Sequence, residues 1–311
     1  ITGVRLWQHR GGMERFWNTL TERPARLMVF SFAGVIAIGT LLLMLPVAAA
    51  PAYQPGIGLL KALFTATSAV CVTGLIVVDT GTAFSMFGQA AILALIQIGG
   101  LGLMTIGMFV ALVLGRSIGL RGDFAISEVV GEKRNRLAQK LLRFIVMVTF
   151  SIEAVGAVIL AMGFRAAGMA VPQSLFYGVF HSVSAFCNAG FSLFSRSFQD
   201  FADQPLFPIT LSLLIILGGL GFGVLLSLPT LLRRRPGQRP EMHVRMVLTA
   251  TLVLSVLGTL VIWLSDRHGA FGHLSASDAL INAWFQSVTT RTAGFNTVDL
   301  VQLSPQSDLL M

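Results

Sequence analysis

Charge is scarce in this sequence. Asp, Glu, Lys and Arg make up 12% of its 311 residues, while hydrophobic residues make up 54%. Soluble domains carry roughly 25% charged residues, so the composition excludes an ordinary soluble fold. Cysteine is scarcer still, at Cys71 and Cys187 alone. One pair cannot staple a secreted scaffold and is too small a ligand set for a four-ligand zinc site. Both stand three residues before a glycine and read as small buried residues that pack helices. The start shows neither a signal-peptide pattern nor an initiator Met. The first apolar run is therefore expected to be retained as a helix, with the natural N-terminus further upstream.

In place of charge the chain has long apolar runs. Residues 27–60, 80–115, 204–232 and 246–265 contain no charged side chain, and 144–164 is interrupted only by Glu153. Each holds at least the ~20 residues with which a helix crosses the hydrocarbon core, so five crossings are expected. The net charge of +8 is not spread evenly. Arg5, Arg10, Arg15, Arg23 and Arg26 precede the first run; Arg116, Arg121, Lys133, Arg134, Arg136, Lys140 and Arg143 fill one loop; Arg233, Arg234, Arg235, Arg239 and Arg245 fill another. Alternation of basic loops with apolar runs follows the positive-inside rule and places these three segments in the cytoplasm of a multi-pass plasma-membrane protein. The partner implied by the charge is membrane lipid, not nucleic acid.

Between the crossings one pattern occurs three times. Residues 64–75 read FTATSAVCVTGL, 180–191 read FHSVSAFCNAGF and 284–295 read WFQSVTTRTAGF. The closing glycines, Gly74, Gly190 and Gly294, are spaced by roughly a hundred residues, the signature of an internal repeat. Helix starts precede each segment at Pro55-Gly56, Pro172 and Ser275–Asp278, because proline and Ser/Asp suit positions whose N–H groups lack intrahelical partners. A helix of about 13 residues is only ~20 Å long, so it enters the membrane and turns back. Irregular backbone at membrane depth is tolerated where it lines a watery path. Glycine lets neighbouring carbonyls face one way, and such carbonyls replace the water shell of an alkali cation. The negative ends of the helix dipoles favour a cation at the same place. Plain helix C-caps are the alternative for any one glycine, and three in register weigh against it.

The resulting architecture is an all-α membrane protein of repeated span–pore helix–span units. Its segments are a cytoplasmic N-terminal segment at 1–25, a first repeat at 26–115, an interfacial linker at 116–141, a second repeat at 142–232, a basic loop at 233–245 and a third repeat at 246–311 that stops after its filter. Residues 123–143 interleave charged and apolar positions, which predicts a helix along the inner membrane surface or a partner-docking segment. The return spans repeat as well, with Ile98-Gly99-Gly100-Leu101-Gly102 matched by Leu217-Gly218-Gly219-Leu220-Gly221. Small residues there predict close helix packing, with a gating hinge as the alternative.

Residues 66–81 (ATSAVCVTGLIVVDTG), 181–191 (HSVSAFCNAGF) and 286–299 (QSVTTRTAGFNTVD) resemble the first, second and third filter regions of the Trk/Ktr potassium-transporter family. They are most similar to its Ktr membrane subunit. The resemblance implies K+ uptake through a pseudo-fourfold, potassium-channel-like pore of four covalently linked span–pore helix–span units, by a protein that is no enzyme, with Na+ a candidate coupling ion for symport. It also implies a homodimer and a ring of cytoplasmic nucleotide-binding regulatory subunits, with no organic cofactor. It maps the filter onto Val72, Thr73 and Gly74; Asn188, Ala189 and Gly190; and Thr292, Ala293 and Gly294. The fourth unit and the family's gating residues are not among the 311 residues, so the chain is expected to be a fragment of a longer parent.

Other polar residues have candidate roles. Thr73, Asn188 and Thr292 are expected to brace the loops by hydrogen bonds. Asp79 and Asp299, five residues after their glycines, are candidates for outer-mouth carboxylates that concentrate cations, with solvated loop positions as the alternative. Arg291 would repel a cation if it faced the path, so it is read as a buttress pointing away, with Asp299 its candidate partner. Glu153 inside a span is read as filter support, with ion coordination the alternative. Two other function classes compete: a non-conducting scaffold subunit, and an intramembrane hydrolase built on His181 and Ser184, which lacks any oxyanion-hole motif.

Overall fold

A computed structural model of the chain describes residues 24–113, 131–232 and 242–308. The segments 1–23, 114–130 and 233–241, which carry most of the expected cytoplasmic basic residues, lie outside the described residues. Among the described residues the structure is helical, with one isolated antiparallel bridge between Ala49 and Phe84. The first repeat consists of α1 (Pro24–Met44), α2 (Leu59–Val70) and α3 (Met86–Val113). The second consists of α4 (Gly131–Ala166), α5 (Val171–Phe186), α6 (Leu206–Gly219) and α7 (Phe222–Leu232). The third consists of α8 (Met242–Asp266), α9 (Ala276–Thr289) and a single helical turn at Pro305–Asp308.

The middle helix of each repeat is short because of what bounds it. α5 carries proline in its first turn, and α9 is capped by Ser275, whose hydroxyl accepts from the Asp278 N–H at 3.2 Å. With 12, 16 and 14 residues, α2, α5 and α9 fall short of the ~30 Å hydrocarbon thickness at ~1.5 Å per residue. In each repeat the middle helix packs against the preceding long helix, and α3 and α6 return beside α2 and α5. The repeats then interlock, with α3 against α5 and α6 against α9.

Two expectations about the long helices need correction. Residues 204–232 do not form one straight crossing: α6 and α7 meet at a bend of 105°. The break falls where Gly221 takes φ +78°, a left-handed conformation that ends an α-helix. The matching motif at Gly99-Gly100 stays inside continuous α3, so the same glycines give a hinge in one repeat and none in the other. The surface helix expected over 123–143 is, from Gly131 onward, part of α4, which runs unbroken into the span. The sequence 139–166 and α8 are each long and apolar enough to cross a membrane.

Glycine makes the close packing possible at two matched places. A Cβ on Gly99 would overlap the Val70 carbonyl, and one on Gly218 would overlap the Phe186 carbonyl. Each return helix therefore rests directly on the C-terminal backbone of its own short helix. Two large buried apolar clusters cross repeat boundaries. One joins Leu43, Ala66, Ile92 and Ile96 of the first repeat to Phe180, Cys187, Ala189 and Phe191 of the second. Another joins Phe164, Phe207 and Leu211 of the second to Phe285, Ala293 and Phe295 of the third. The glycine turns thus sit at the seams between repeats.

Candidate functional site

The first two glycine turns are built alike from the backbone upward. At the end of α2, Val72 N–H donates to the Ala69 carbonyl at 3.3 Å and Thr73 N–H to the Ser68 carbonyl at 2.9 Å. At the end of α5, Asn188 N–H donates to Ala185 at 3.0 Å and Ala189 N–H to Ser184 at 2.7 Å. This pair of bonds is a Schellman motif, which requires a left-handed residue just past the cap. Val72 (φ 56°) and Asn188 (φ 58°) occupy it, and Gly74 (φ 73°) and Gly190 (φ 69°) repeat the left-handed conformation two residues on. Asn tolerates that region, whereas a β-branched Val there is an outlier, of the sort that persists where surrounding structure enforces it. Positive φ at alternate residues turns successive carbonyls toward one side.

The third turn differs. Ala293 N–H and Gly294 N–H both donate to the Thr289 carbonyl, at 2.8 and 3.3 Å. Gly294 has φ 78° but Thr292 is not left-handed. All three turns share one feature: among the described residues, no donor meets the carbonyls of residues 72–74, 188–190 or 292–294. Backbone carbonyls seldom go unpaired unless water or a ligand takes the place of a donor.

Glycine also lets the turns meet. A Cβ on Gly74 would come within 2.6 Å of the Ala189 carbonyl oxygen, and one on Gly190 would overlap the Ala293 carbonyl oxygen. Gly74, Gly190 and Gly294 therefore line up repeat beside repeat, the backbone of each turn against the next.

The flanking residues stand as follows. Thr73 donates to Ser68 Oγ at 3.0 Å, whereas no side-chain hydrogen bond of Thr292 is found among the described residues. Asn188 Oδ1 is buried without a partner. Glu153 is 3% exposed; its Oε1 accepts from Gln97 of α3 at 3.1 Å and from the Cys187 thiol, and its backbone carbonyl accepts from Ser182 at 2.7 Å. It thereby joins α3, α4 and α5 behind the second turn. Asp79 and Asp299 are caps: Asp79 accepts from the N–H groups of Gly81 and Thr82, and Asp299 from that of Val301. Arg291 turns to α8, reaching Ser255 Oγ at 3.5 Å and Thr251 Oγ1 at 3.4 Å. Its expected pairing with Asp299 is absent among the described residues, because Asp299 is engaged by its own helical turn. Cys187 is buried against Gly100, but Cys71 is exposed and both thiols are free, which corrects the buried reading of Cys71.

His181 and Ser184 do not form a nucleophile–base pair. Ser184 Oγ donates to the Phe191 carbonyl at 2.8 Å, and the His181 ring bonds Tyr177, Ser192 and Leu193. The hydrolase reading therefore lacks its first geometric requirement. The bonds of His181 to Ser192 and Leu193 reach the segment after Gly190, and nothing in the sequence spacing marks them.

Long apolar helices, short helices that end in glycine turns, and the packing of those turns at repeat seams set the chain among helical membrane proteins built from internal repeats. The chain belongs to the TrkH family of cation transport proteins, which matches residues 28–311. It is 39% identical over 288 residues to Ktr system potassium uptake protein B of Vibrio alginolyticus, covering 92% of this chain and 62% of that protein. It is 38% identical over 283 residues to the protein of the same description from Bacillus subtilis (strain 168), covering 89% and 61%. The fold matches the crystal structure of the potassium transporter TrkH from Vibrio parahaemolyticus with a TM-score of 0.62 at 21% identity, over 88% of this chain and 51% of that one. The chain spans about three-fifths of the length of the curated relatives it matches.

Proposed function

We propose that this chain supplies three quarters of the ion path of a potassium-uptake protein, with K+ coordinated by carbonyls of residues 72–74, 188–190 and 292–294. The observation that carries the reading is the set of carbonyls without donors at three adjoining glycine turns. Such oxygens replace the hydration shell of a cation, and the C-terminal ends of α2, α5 and α9 add negative potential there. The potassium-uptake relatives support K+ as the cargo. The helical turn at Pro305–Asp308 opens the return span of the third unit, and a fourth unit of the parent protein closes the path. Asp266 secures that turn by accepting from Ser304 N–H at 2.8 Å and from the Ser304 and Ser307 hydroxyls.

The same reading places the basic loops in the cytoplasm of the plasma membrane and makes the parent protein a homodimer regulated by cytoplasmic nucleotide-binding subunits. The domain limits stay those set by the repeats, with Na+ the candidate coupling ion. Glu153 supports the second turn from behind and Arg291 the third. Asp79 and Asp299 shape the outer mouth as helix caps and add negative potential to it. Flux into proteoliposomes bearing the full-length parent tests the proposal: K+ uptake that exceeds Na+ uptake, and that falls in Gly190→Ser, is expected. An intact, folded protein that moves neither ion would favour the scaffold function instead.

A further inference from the structure

His181 is fully buried in α5, ten residues before the irregular stretch of chain that it contacts, residues 191–198, here called the exit strand although it pairs with no sheet. Its Nδ1 lies 2.8 Å from the Tyr177 carbonyl and its Nε2 lies 3.1 Å from the Leu193 backbone nitrogen. A carbonyl only accepts and a backbone N–H only donates, so Nδ1 carries the proton and Nε2 is the acceptor. The Ser192 hydroxyl is a second donor to Nε2, at 3.2 Å. A histidine satisfied within its own helix would need only Tyr177. This one spends its other nitrogen on the chain that leaves the second glycine turn.

The setting fixes the ring. Phe194 stacks on it at 5.1 Å between centroids, Phe198 meets it edge-on at 4.9 Å, and Phe164 and Phe180 close the sides. No water can replace a lost bond in such a cage. Two other contacts act on the same strand. Ser184 holds the Phe191 carbonyl. On the far side the Leu193 carbonyl lies so close to Gly81 that a Cβ there would overlap it. The strand is thus gripped between its own short helix and the mouth of the first repeat, where Asp79 caps the turn at Thr80–Ala83. The other repeats have no counterpart: Thr65 bonds the Lys61 carbonyl in its own helix, and Phe285 has no polar atom to offer.

We propose that His181 is a positioning residue for ion selectivity: its neutral imidazole, as acceptor for Leu193 N–H, holds the exit strand so that the 188–190 carbonyls keep their places. The inference rests on the filter reading above. Three variants of the full-length parent test it by K+ and Na+ flux in proteoliposomes, with hydrogen exchange of the 191–198 peptide measured alongside. His181→Phe keeps an aromatic ring in the cage, as the third repeat does with Phe285, and removes the acceptor. Its K+ over Na+ preference is expected to fall about tenfold, the loss associated with one buried hydrogen bond, and exchange at 191–198 to quicken. His181→Gln places an acceptor oxygen near the Nε2 position and is expected to retain most of the preference. His181→Asn reaches only the Nδ1 position and is expected to behave like the Phe variant, serving in its place if that variant does not assemble. Undiminished preference in an assembled Phe or Asn variant overturns the proposal. So does equal loss in the Gln variant, which would assign the effect to ring packing. If wild type and Gly190→Ser show the same ratio, the filter reading itself fails.

Discussion

The second and third glycine turns share the sequence Ala-Gly-Phe, at Ala189-Gly190-Phe191 and Ala293-Gly294-Phe295, but they are held very differently. The second ends its helix in a Schellman motif and has Ser184 and His181 bonded to the strand behind it. Its glycine is pressed against the Ala293 carbonyl. The third lacks the left-handed residue at Thr292, leaves Thr292 and Gly294 exposed, and has 3.7 Å between a would-be Cβ and its nearest neighbour. A short sequence repeat thus specifies the turn only in part. The rest comes from contacts across the seam, and only the second turn has neighbours on both sides among the described residues.

The comparison is broken most sharply by giving each glycine a side chain. Gly190→Ser combines a left-handed L-residue, worth about 1–2 kcal/mol, with an overlap on a backbone carbonyl that cannot move aside. Gly294→Ser bears the first penalty alone in this arrangement. We expect K+ over Na+ preference to collapse in the former and to fall less in the latter, as read by paired ion fluxes. Equal collapse would mean that the third turn is as confined as the second in the parent protein.

A middle-sized effect separates filter bracing from scaffold bracing. Ser184 holds the Phe191 carbonyl, and Ser287 of α9 holds the Ser255 carbonyl of α8 at 2.9 Å. Each Ser→Ala change removes one buried hydrogen bond, worth about 1 kcal/mol, so similar drops in melting temperature are expected. Only Ser184→Ala should also change ion preference. A shift in Ser287→Ala of the same size would show that the third turn depends on its scaffold as closely as the second.

The smallest effect belongs to Arg291→Gln. Its two hydrogen bonds are long and it is exposed, and such surface changes usually stay within about 0.5 kcal/mol. Flux ratio and melting temperature close to wild type are expected; a tenfold change in flux ratio, or a drop in melting temperature of more than about 5 °C, would show that Arg291 is a strong buttress of the third turn.

Much of the fold was legible because it depends on local chemistry. Proline and serine at helix starts, and glycine where the chain must turn left-handed, set α5, α9 and the three turns from short stretches of sequence. What was not legible depends on competition between partners. Asp79 and Asp299 looked free to face cations, yet a carboxylate two or three residues before a helical N–H finds that donor before it finds solvent. The break at Gly221 and the continuous helix through Gly99-Gly100 come from nearly the same five residues, so tertiary surroundings decide between them. His181 was visible as a histidine, but its partners at Ser192 and Leu193 lie beyond the turn and are brought back only by the fold.

The seam contacts have a direction. Gly74 abuts the residue before the second glycine, and Gly190 abuts the residue before the third. In the language of assemblies this is a heterologous, head-to-tail interface inside one chain, in which the surface given by one unit differs from the surface it receives. Such contacts either close into a ring or continue as an open spiral, according to the rotation between units. A bulky residue introduced at one glycine is therefore felt first by the following unit, so distortion passes from the first repeat toward the third.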